Sequence, residues 1–143
     1  MKIGELAKRT DCQIGTIRYY EKAGLLPEPM RSTGNFRLYG EAHVERLHFI
    51  RHCRSLDMTL DEVLALLQFR DSPQADCGEV NELLDRHIQQ IGTRMEALSQ
   101  LKLHLTALRE NCTGHRPTET CGILQGLTDC SSHQDTSDSV SVR

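Results

Sequence analysis

Thiols are the side chains in this sequence best suited to chemistry, and six of them are spread over 143 residues. They stand at Cys12, Cys53, Cys77, Cys112, Cys121 and Cys130. The absence of a Cys-x-x-Cys pair removes the strongest signal for a zinc ribbon or a redox centre. The N-terminus lacks the apolar stretch of a signal peptide, so we expect a cytoplasmic protein whose thiols stay reduced and available to bind metal. The alternative is a set of scattered free thiols.

Three of these residues, Cys77, Cys112 and Cys121, have a spacing that fits a shared metal site. Apolar residues at steps of three and four predict one long helix from Asp76 to Cys112, with Gly92 as its weak point. Such a helix places Cys77 and Cys112 about 52 Å apart, so one chain cannot close the site. Antiparallel pairing of two copies brings Cys77 of one beside Cys112 and Cys121 of the other. We therefore predict a homodimer with metal sites shared between chains.

The donor set favours a soft cation as the effector. Three thiolates suit Pb(II) or Cd(II), and Hg(II) and Zn(II) stay open. Zinc needs a further donor, for which His115 in the loop between Cys112 and Cys121 is available. Cys53 falls on an apolar stripe and is predicted to be a small buried side chain, while Cys12 and Cys130 are not expected to bind the ion.

Two short helical patterns precede these cysteines. The first runs from Ile3 to Thr10 and the second from Ile14 to Gly24, with Ile14 and Ile17 facing inward. The opposite face of the second helix is cationic and aromatic and comprises Gly15, Arg18, Tyr19 and Lys22. Two short helices separated by about three residues are typical of a helix-turn-helix.

The segment from Arg31 to Tyr39 has turn residues flanked by alternating side chains, which predicts a small β-hairpin, or wing. Its Arg31, Arg37 and Tyr39 are placed to reach phosphates. Two amphipathic helices follow, over Glu41 to Leu56 and behind the capping-box pattern of Thr59 and Glu62.

The predicted fold class is all-α with a small β-hairpin wing: a winged helix-turn-helix DNA-binding domain followed by a long antiparallel coiled-coil dimerisation helix. Residues 1–70 form the DNA-binding domain with its following helices, and residues 71–112 form a linker and the dimerisation helix. Residues 113–127 form a metal-binding loop and short helix. Residues 128–143 are rich in Ser and Asp and are predicted to be a disordered tail.

Charge is distributed unevenly along the chain. Residues 1–56 carry ten Lys and Arg against six Asp and Glu, whereas the remainder carries seven against fourteen. A basic head on an acidic body indicates a protein that docks on nucleic acid through one end. No apolar run approaches the roughly 20 residues of a membrane span, and no nucleophile–base set or phosphate loop favours an enzyme.

Several stretches resemble the MerR family of transcription regulators, over almost the whole chain to about Leu127. They are the Thr-Ile-Arg-Tyr-Tyr-Glu run of residues 16–21, the Gly-Leu-Leu turn at Gly24, the wing, and the long helix ending at Cys112. Residues 51–58, 76–81 and 121–125 are similar to the lead- and cadmium-responsive branch of that family, the PbrR and CadR type.

The resemblance implies a homodimer that binds a palindromic operator in double-stranded promoter DNA, on which RNA polymerase also acts. Metal would switch the dimer from repressor to activator by bending and untwisting the DNA. The family places Arg18 and Tyr19 on the recognition helix and Arg31, Arg37 and Tyr39 on backbone phosphates. The full expected DNA-binding set is Gly15, Thr16, Arg18, Tyr19, Lys22, Arg31, Asn35, Phe36, Arg37 and Tyr39.

The wing departs from the family pattern, because Gly34-Asn35 stands where many relatives have the reverse order and Phe36 where others have Tyr. Three alternatives stay open. They are a Hg(II) or Zn(II) sensor of the same family, a relative that senses drugs or oxidants without metal, and a metal-sequestering protein whose head binds another protein.

Overall fold

A computed structural model of the chain describes residues 1–129, and the described part is helical apart from a two-stranded antiparallel hairpin. The elements in chain order are α1 (Ile3–Thr10), α2 (Ile14–Lys22), β1 (Met30–Arg31), β2 (Arg37–Leu38), α3 (Glu41–Ser55), α4 (Leu60–Arg70), α5 (Gly78–Arg109), a 3-10 turn (Thr118–Thr120) and α6 (Gly122–Thr128). The predicted tail lies outside the described residues except for Thr128, which ends α6, and Asp129. Among residues 1–129, no helix combines the length and the apolar character needed to cross a membrane.

The chain divides into two units, Met1–Leu84 and a second that begins at Asp85, and α5 runs through the division. The hydrophobic core of the first unit is built from buried side chains of α1 to α4 and the loops between them. Its fully buried members include Leu6, Ile17, Leu47 and Val63. The predicted helix-turn-helix and its supporting helices are therefore observed as one packed body.

The second helix of the pair shows one difference from the sequence prediction. Ile17 is fully buried, as predicted, but Ile14 is 40% exposed. Apolar spacing identifies residues that share a helix face, but it does not say how far the neighbouring elements extend to cover that face. The second inward anchor of α2 is instead Tyr20, which is buried three residues after Ile17.

Arginines of α3 hold the carboxyl ends of the first two helices. Arg51 donates from Nη1 to the carbonyl of Thr10, the last residue of α1, at 2.8 Å. Arg46 donates from Nε to the carbonyl of Leu25, just beyond α2, at 2.6 Å. Helix carboxyl ends present unpaired carbonyls with partial negative charge, so the Arg51 guanidinium stabilises the end of α1. The Arg46 guanidinium fixes the segment that follows α2 on α3.

The predicted capping box at the start of α4 is present. The Glu62 amide donates to Thr59 Oγ1 at 3.1 Å, and the Thr59 amide donates to Glu62 Oε1 at 2.8 Å. Cys53 is buried on α3, as its position on the apolar stripe predicts. These local signals were sufficient to place α3 and α4.

The long helix is slightly shorter than predicted, beginning at Gly78 rather than Asp76 and ending at Arg109 rather than Cys112. Its apolar residues are largely solvent-exposed within this chain, with Ile88 63% and Met95 65% exposed. A helix of 32 residues with one exposed apolar stripe is unusual for a protein that acts as a single chain.

Candidate nucleic-acid interface and metal-binding thiols

The outer face of α2 presents the side chains that the sequence assigned to the recognition helix. Gly15, Arg18, Tyr19 and Lys22 are exposed, and Thr16 is half-buried. On the opposite face, Ile17 and Tyr20 are buried in the core. The helix therefore projects a cationic and aromatic surface while two side chains hold it in place.

The hairpin between β1 and β2 is closed by a short hydrogen-bonded loop. The Ser32 amide donates to the Phe36 carbonyl at 2.8 Å, and the Asn35 amide donates to the Ser32 carbonyl at 2.9 Å. Asn35 adopts a left-handed φ of 65°, which asparagine tolerates better than most residues. The Gly34-Asn35 order is thus accommodated because Asn35 itself takes the left-handed position.

Helix α2, the wing and the start of α1 enclose a groove of about 490 Å³. Its lining includes most of the predicted DNA-binding side chains, together with three residues that were not predicted: Lys2, Ile3, Arg18, Glu21, Lys22, Arg31, Asn35, Phe36 and Arg37. Five of these side chains are cationic and only Glu21 is acidic. The groove can therefore attract a phosphate backbone.

Tyr39 differs most from its predicted role. The sequence placed its hydroxyl on a phosphate, but the side chain is 3% exposed, and its hydroxyl donates to Glu21 Oε1 at 2.8 Å. Burial, and then the Glu21 carboxylate, raise the pKa of Tyr39 above its usual value, so the hydroxyl stays protonated as a donor. The ring also packs edge-on against His43 at 5.1 Å between centroids. Tyr39 ties the end of the wing to α2 instead of facing outward.

Lys2 and Glu21 belong to this surface, although the sequence reasoning did not select them. The Lys2 ammonium lies 5.0 Å from the centre of the Phe36 ring, a cation–π contact between the chain start and the wing. The Glu21 carboxylate lies 3.7 Å from Arg37 Nη1 and accepts the Tyr39 hydroxyl. The position of Glu21 in the Arg-Tyr-Tyr-Glu run could have indicated that it belongs to this surface. No feature of the neighbouring sequence indicated the same for Lys2.

In the second unit, the structure brings two of the predicted ligands together. Cys121 immediately precedes α6, and the Cys112 thiol, beyond the end of α5, lies near enough to influence the pKa of Cys121. The backbone amide of Leu124 is the main cause that lowers the pKa of Cys121, followed by the amide of Ile123, the Cys112 thiol and the Arg116 charge. A thiol with a lowered pKa supplies the thiolate that a soft cation requires.

Cys77 lies in the first unit, exposed, immediately before α5. Within residues 1–129, no three Cys, His, Asp or Glu side chains converge in a way that could hold a metal ion. His115 is exposed in the loop between Cys112 and Cys121. The described chain thus contributes a pair of thiols and a separate third one.

Two family models match this chain. The model of MerR helix-turn-helix regulatory proteins matches residues 1–69, and the model "MerR, DNA binding" matches residues 44–108. A curated regulator from Haemophilus influenzae, a ZntR homolog, is 47% identical over 110 residues, which cover 77% of this chain and 82% of that protein. The chain belongs to the MerR family.

Solved MerR-family structures share the fold over most of the chain. The transcription regulator PbrR691 from Ralstonia metallidurans, solved in complex with lead(II), is 55% identical with a TM-score of 0.83, covering 89% of this chain and 98% of its own. The regulator MerR from Bacillus megaterium, solved in complex with a mercury(II) ion, is 31% identical with a TM-score of 0.71. The match covers 90% of this chain and 99% of that regulator. This MerR-family chain is therefore a metal-responsive transcription regulator and not an enzyme.

Proposed function

We propose that this MerR-family regulator binds a palindromic promoter operator as a homodimer and responds to a soft divalent cation, Pb(II) foremost. Cys112 and Cys121 of one protomer and Cys77 of its partner would hold the ion. The observation that carries the metal assignment is the Cys112–Cys121 thiol pair beyond the end of α5. RNA polymerase acts on the same promoter, whose geometry the bound dimer alters.

The groove of the first unit supports the DNA-binding part of the proposal. Arg18, Tyr19 and Lys22 on α2 are placed to meet the edges of bases and the adjoining backbone, while Arg31 and Arg37 on the wing are placed to meet phosphates. Tyr39 is left out of the direct contacts because Glu21 occupies its hydroxyl. Lys2 adds a cation that Phe36 holds beside the wing.

Helix α5 supports the homodimer. Its exposed apolar stripe, Leu84, Ile88, Ile91, Met95, Leu98 and Leu105, runs along most of its length. A second copy of the same helix is the simplest partner for such a stripe. Thirty-two residues of helix measure about 48 Å, so antiparallel pairing is the arrangement that lets Cys77 of one protomer meet the thiol pair of the other.

The donor chemistry fits a soft ion. Cys112 and Cys121 are free thiols, the Cys112 thiol is among the groups that lower the pKa of Cys121, and the lowered pKa favours the Cys121 thiolate. Three sulfur donors suit Pb(II), Cd(II) and Hg(II) better than Zn(II), which generally takes four ligands in structural sites. Pb(II) is placed first because the 55% identical relative was solved with lead(II).

Coupling to DNA follows from the shared site. Joining the Cys112–Cys121 loop of one protomer to Cys77 of its partner restrains the angle between the two DNA-binding units. Those units hold two half-sites, so a small rotation changes the bend and twist of the operator. The cation must bind the activating arrangement more tightly than the repressing one, since otherwise it shifts no equilibrium.

Cys77→Ser tests the shared site. We expect the variant to bind the operator as tightly as the wild type and to lose metal-dependent transcription in a promoter reporter. Cys12→Ser is the matched control, because Cys12 lies between α1 and α2 and belongs to no proposed site. Full induction of Cys77→Ser would refute the three-thiolate assignment.

The same reporter, titrated separately with Pb(II), Cd(II), Hg(II) and Zn(II), ranks the effectors. We expect the lowest half-maximal concentration for Pb(II). A lowest value for Hg(II) or Zn(II) would reassign the effector while keeping the regulator. Tight metal binding without binding to any promoter fragment would instead favour a metal-sequestering protein.

A further inference from the structure

Helix α6 lies so close to the end of α5 that a side chain at Gly122 has no room. A Cβ placed on Gly122 would overlap the carbonyl oxygen of Asn111, and it would lie 3.1 Å from the Asn111 carbonyl carbon and 3.2 Å from its Cβ. The obstacle includes backbone atoms, which cannot rotate away as the end of a side chain can. Gly122 does not have a left-handed φ, so its backbone conformation does not require glycine. The requirement comes from the close approach alone.

Gly126 lies one turn further along α6, on the same face. A Cβ there would lie 3.0 Å from Leu108 Cδ1 and 3.4 Å from Asn111 Nδ2. Both obstacles are ends of side chains and can shift by a few tenths of an ångström. Gly126 therefore makes a softer contact of the same kind as Gly122.

Local preference alone would not choose these residues. Glycine is among the least favourable residues in a helix, and α6 has two in seven positions. Alanine at either position would favour the isolated helix. Packing and helix propensity therefore predict opposite effects of a Gly→Ala change, which makes the substitution informative.

We infer that Gly122, supported by Gly126, is a positioning residue for the thiol pair and sets the distance between Cys112 and Cys121. Each partner in the close contact is the sequence neighbour of one thiol, since Asn111 precedes Cys112 and Gly122 follows Cys121. A methyl group between Asn111 and Gly122 must therefore shift the backbone that carries one thiol relative to the backbone that carries the other. This inference rests on the proposed function for the role of the pair in binding metal.

The test compares Gly122→Ala with Gly114→Ala in the full-length protein. Gly114 lies between Cys112 and Cys121 but is not a proposed ligand, and a Cβ there meets nothing within 4 Å. Alanine keeps the Gly114 carbonyl that accepts from Cys112 Sγ, so Gly114→Ala is the matched control. Phenylarsine oxide, which bridges two neighbouring thiols, reports their spacing in metal-free protein. Thiolate-to-metal absorbance during a Cd(II) titration reports affinity, and Cys112→Ser gives the baseline for both measurements.

We expect Gly122→Ala to weaken Cd(II) binding about 10- to 100-fold, the range for losing a group that orients a ligand, and to slow capture of phenylarsine oxide. Operator binding without metal should match the wild type, which shows that the first unit is folded. Gly114→Ala should behave as the wild type in all three measurements. If Gly122→Ala matches Gly114→Ala within twofold in both thiol measurements, the inference is wrong.

A second pair of variants distinguishes displacement of α6 by a close contact from unfolding of α6. Gly126→Ala should weaken Cd(II) binding less than Gly122→Ala, and adding Leu108→Ala should restore it because the obstructing methyl group is removed. Absence of this rescue would count against positioning by close approach. If the wild type itself gives no thiolate absorbance with either Cd(II) or Pb(II), the proposed function fails, and phenylarsine oxide capture still decides the spacing inference.

Discussion

Tyr39→Phe separates a structural role from a DNA-contacting role for this side chain. The substitution removes only the hydroxyl and keeps the buried ring and its edge-on contact with His43. The lost bond runs to Glu21, whose side chain is 12% exposed, at 2.8 Å. Removing a hydrogen bond to a charged group costs about 1.5–3 kcal/mol of folding free energy when the charged partner is left unsatisfied. Arg37, 3.7 Å from the Glu21 carboxylate, compensates in part, so we expect a loss of about 1–2 kcal/mol in the free energy of unfolding.

The assay is urea unfolding at fixed protein concentration, because the stability of a dimer depends on concentration. In thermal unfolding, the same loss of stability corresponds to a fall in Tm of about 2–8 °C. Tyr19→Phe is the matched control, since it also removes one hydroxyl, but from a ring that is 56% exposed on the outer face of α2. It should change stability by less than about 0.5 kcal/mol and weaken operator binding instead.

The two variants therefore have opposite expected profiles. Tyr39→Phe should lose stability, and any change in its operator affinity should follow from a loosened wing. The placement of Tyr39 would be wrong if Tyr39→Phe kept full stability while weakening operator binding as much as Tyr19→Phe. That result would restore the phosphate contact that the sequence suggested.

Three further predictions concern the wing and the thiols. Asn35→Gly should leave unfolding free energy within about 0.5 kcal/mol of the wild type, whereas Asn35→Val should cost about 1–2 kcal/mol, because a β-branched side chain is strained at the left-handed φ of 65°. Arg31→Ala and Arg37→Ala should each reduce the salt dependence of operator binding, the slope of log K against log salt, by about 1. In metal-free protein near neutral pH, iodoacetamide should modify Cys121 before Cys53, because the pKa of Cys121 is lowered while burial raises that of Cys53.

Each of these three predictions would be contradicted by a specific result. Equal unfolding free energies for Asn35→Gly and Asn35→Val would show that the left-handed φ is not maintained. Arg70→Ala, on α4 and away from the groove, is the control for the salt slopes, and an equal change there would deny the wing a specific phosphate role. Peptide mapping by mass spectrometry orders the alkylation, and Cys53 reacting first would contradict the assigned burial.

Local signals in the sequence were enough to predict most of the helices. The capping box of Thr59 and Glu62 marks the start of α4, and the apolar spacing identifies α5 to within two or three residues at each end. Turn residues predicted the wing, and its loop closes as a hydrogen-bonded hairpin. These features depend on interactions within a few residues of the chain, which is why the sequence alone determines them.

The tertiary structure decided the features that depend on which elements come together. Tyr39 carries no local sign that Glu21, eighteen residues earlier, will accept its hydroxyl, and Lys2 carries none that it will lie against Phe36. The close approach of Gly122 to Asn111 likewise appears only once α6 has folded back on the end of α5. Spacing along the chain determines a helix and its faces; which atoms cover a face depends on contacts between residues distant in sequence, and those exist only in the folded protein.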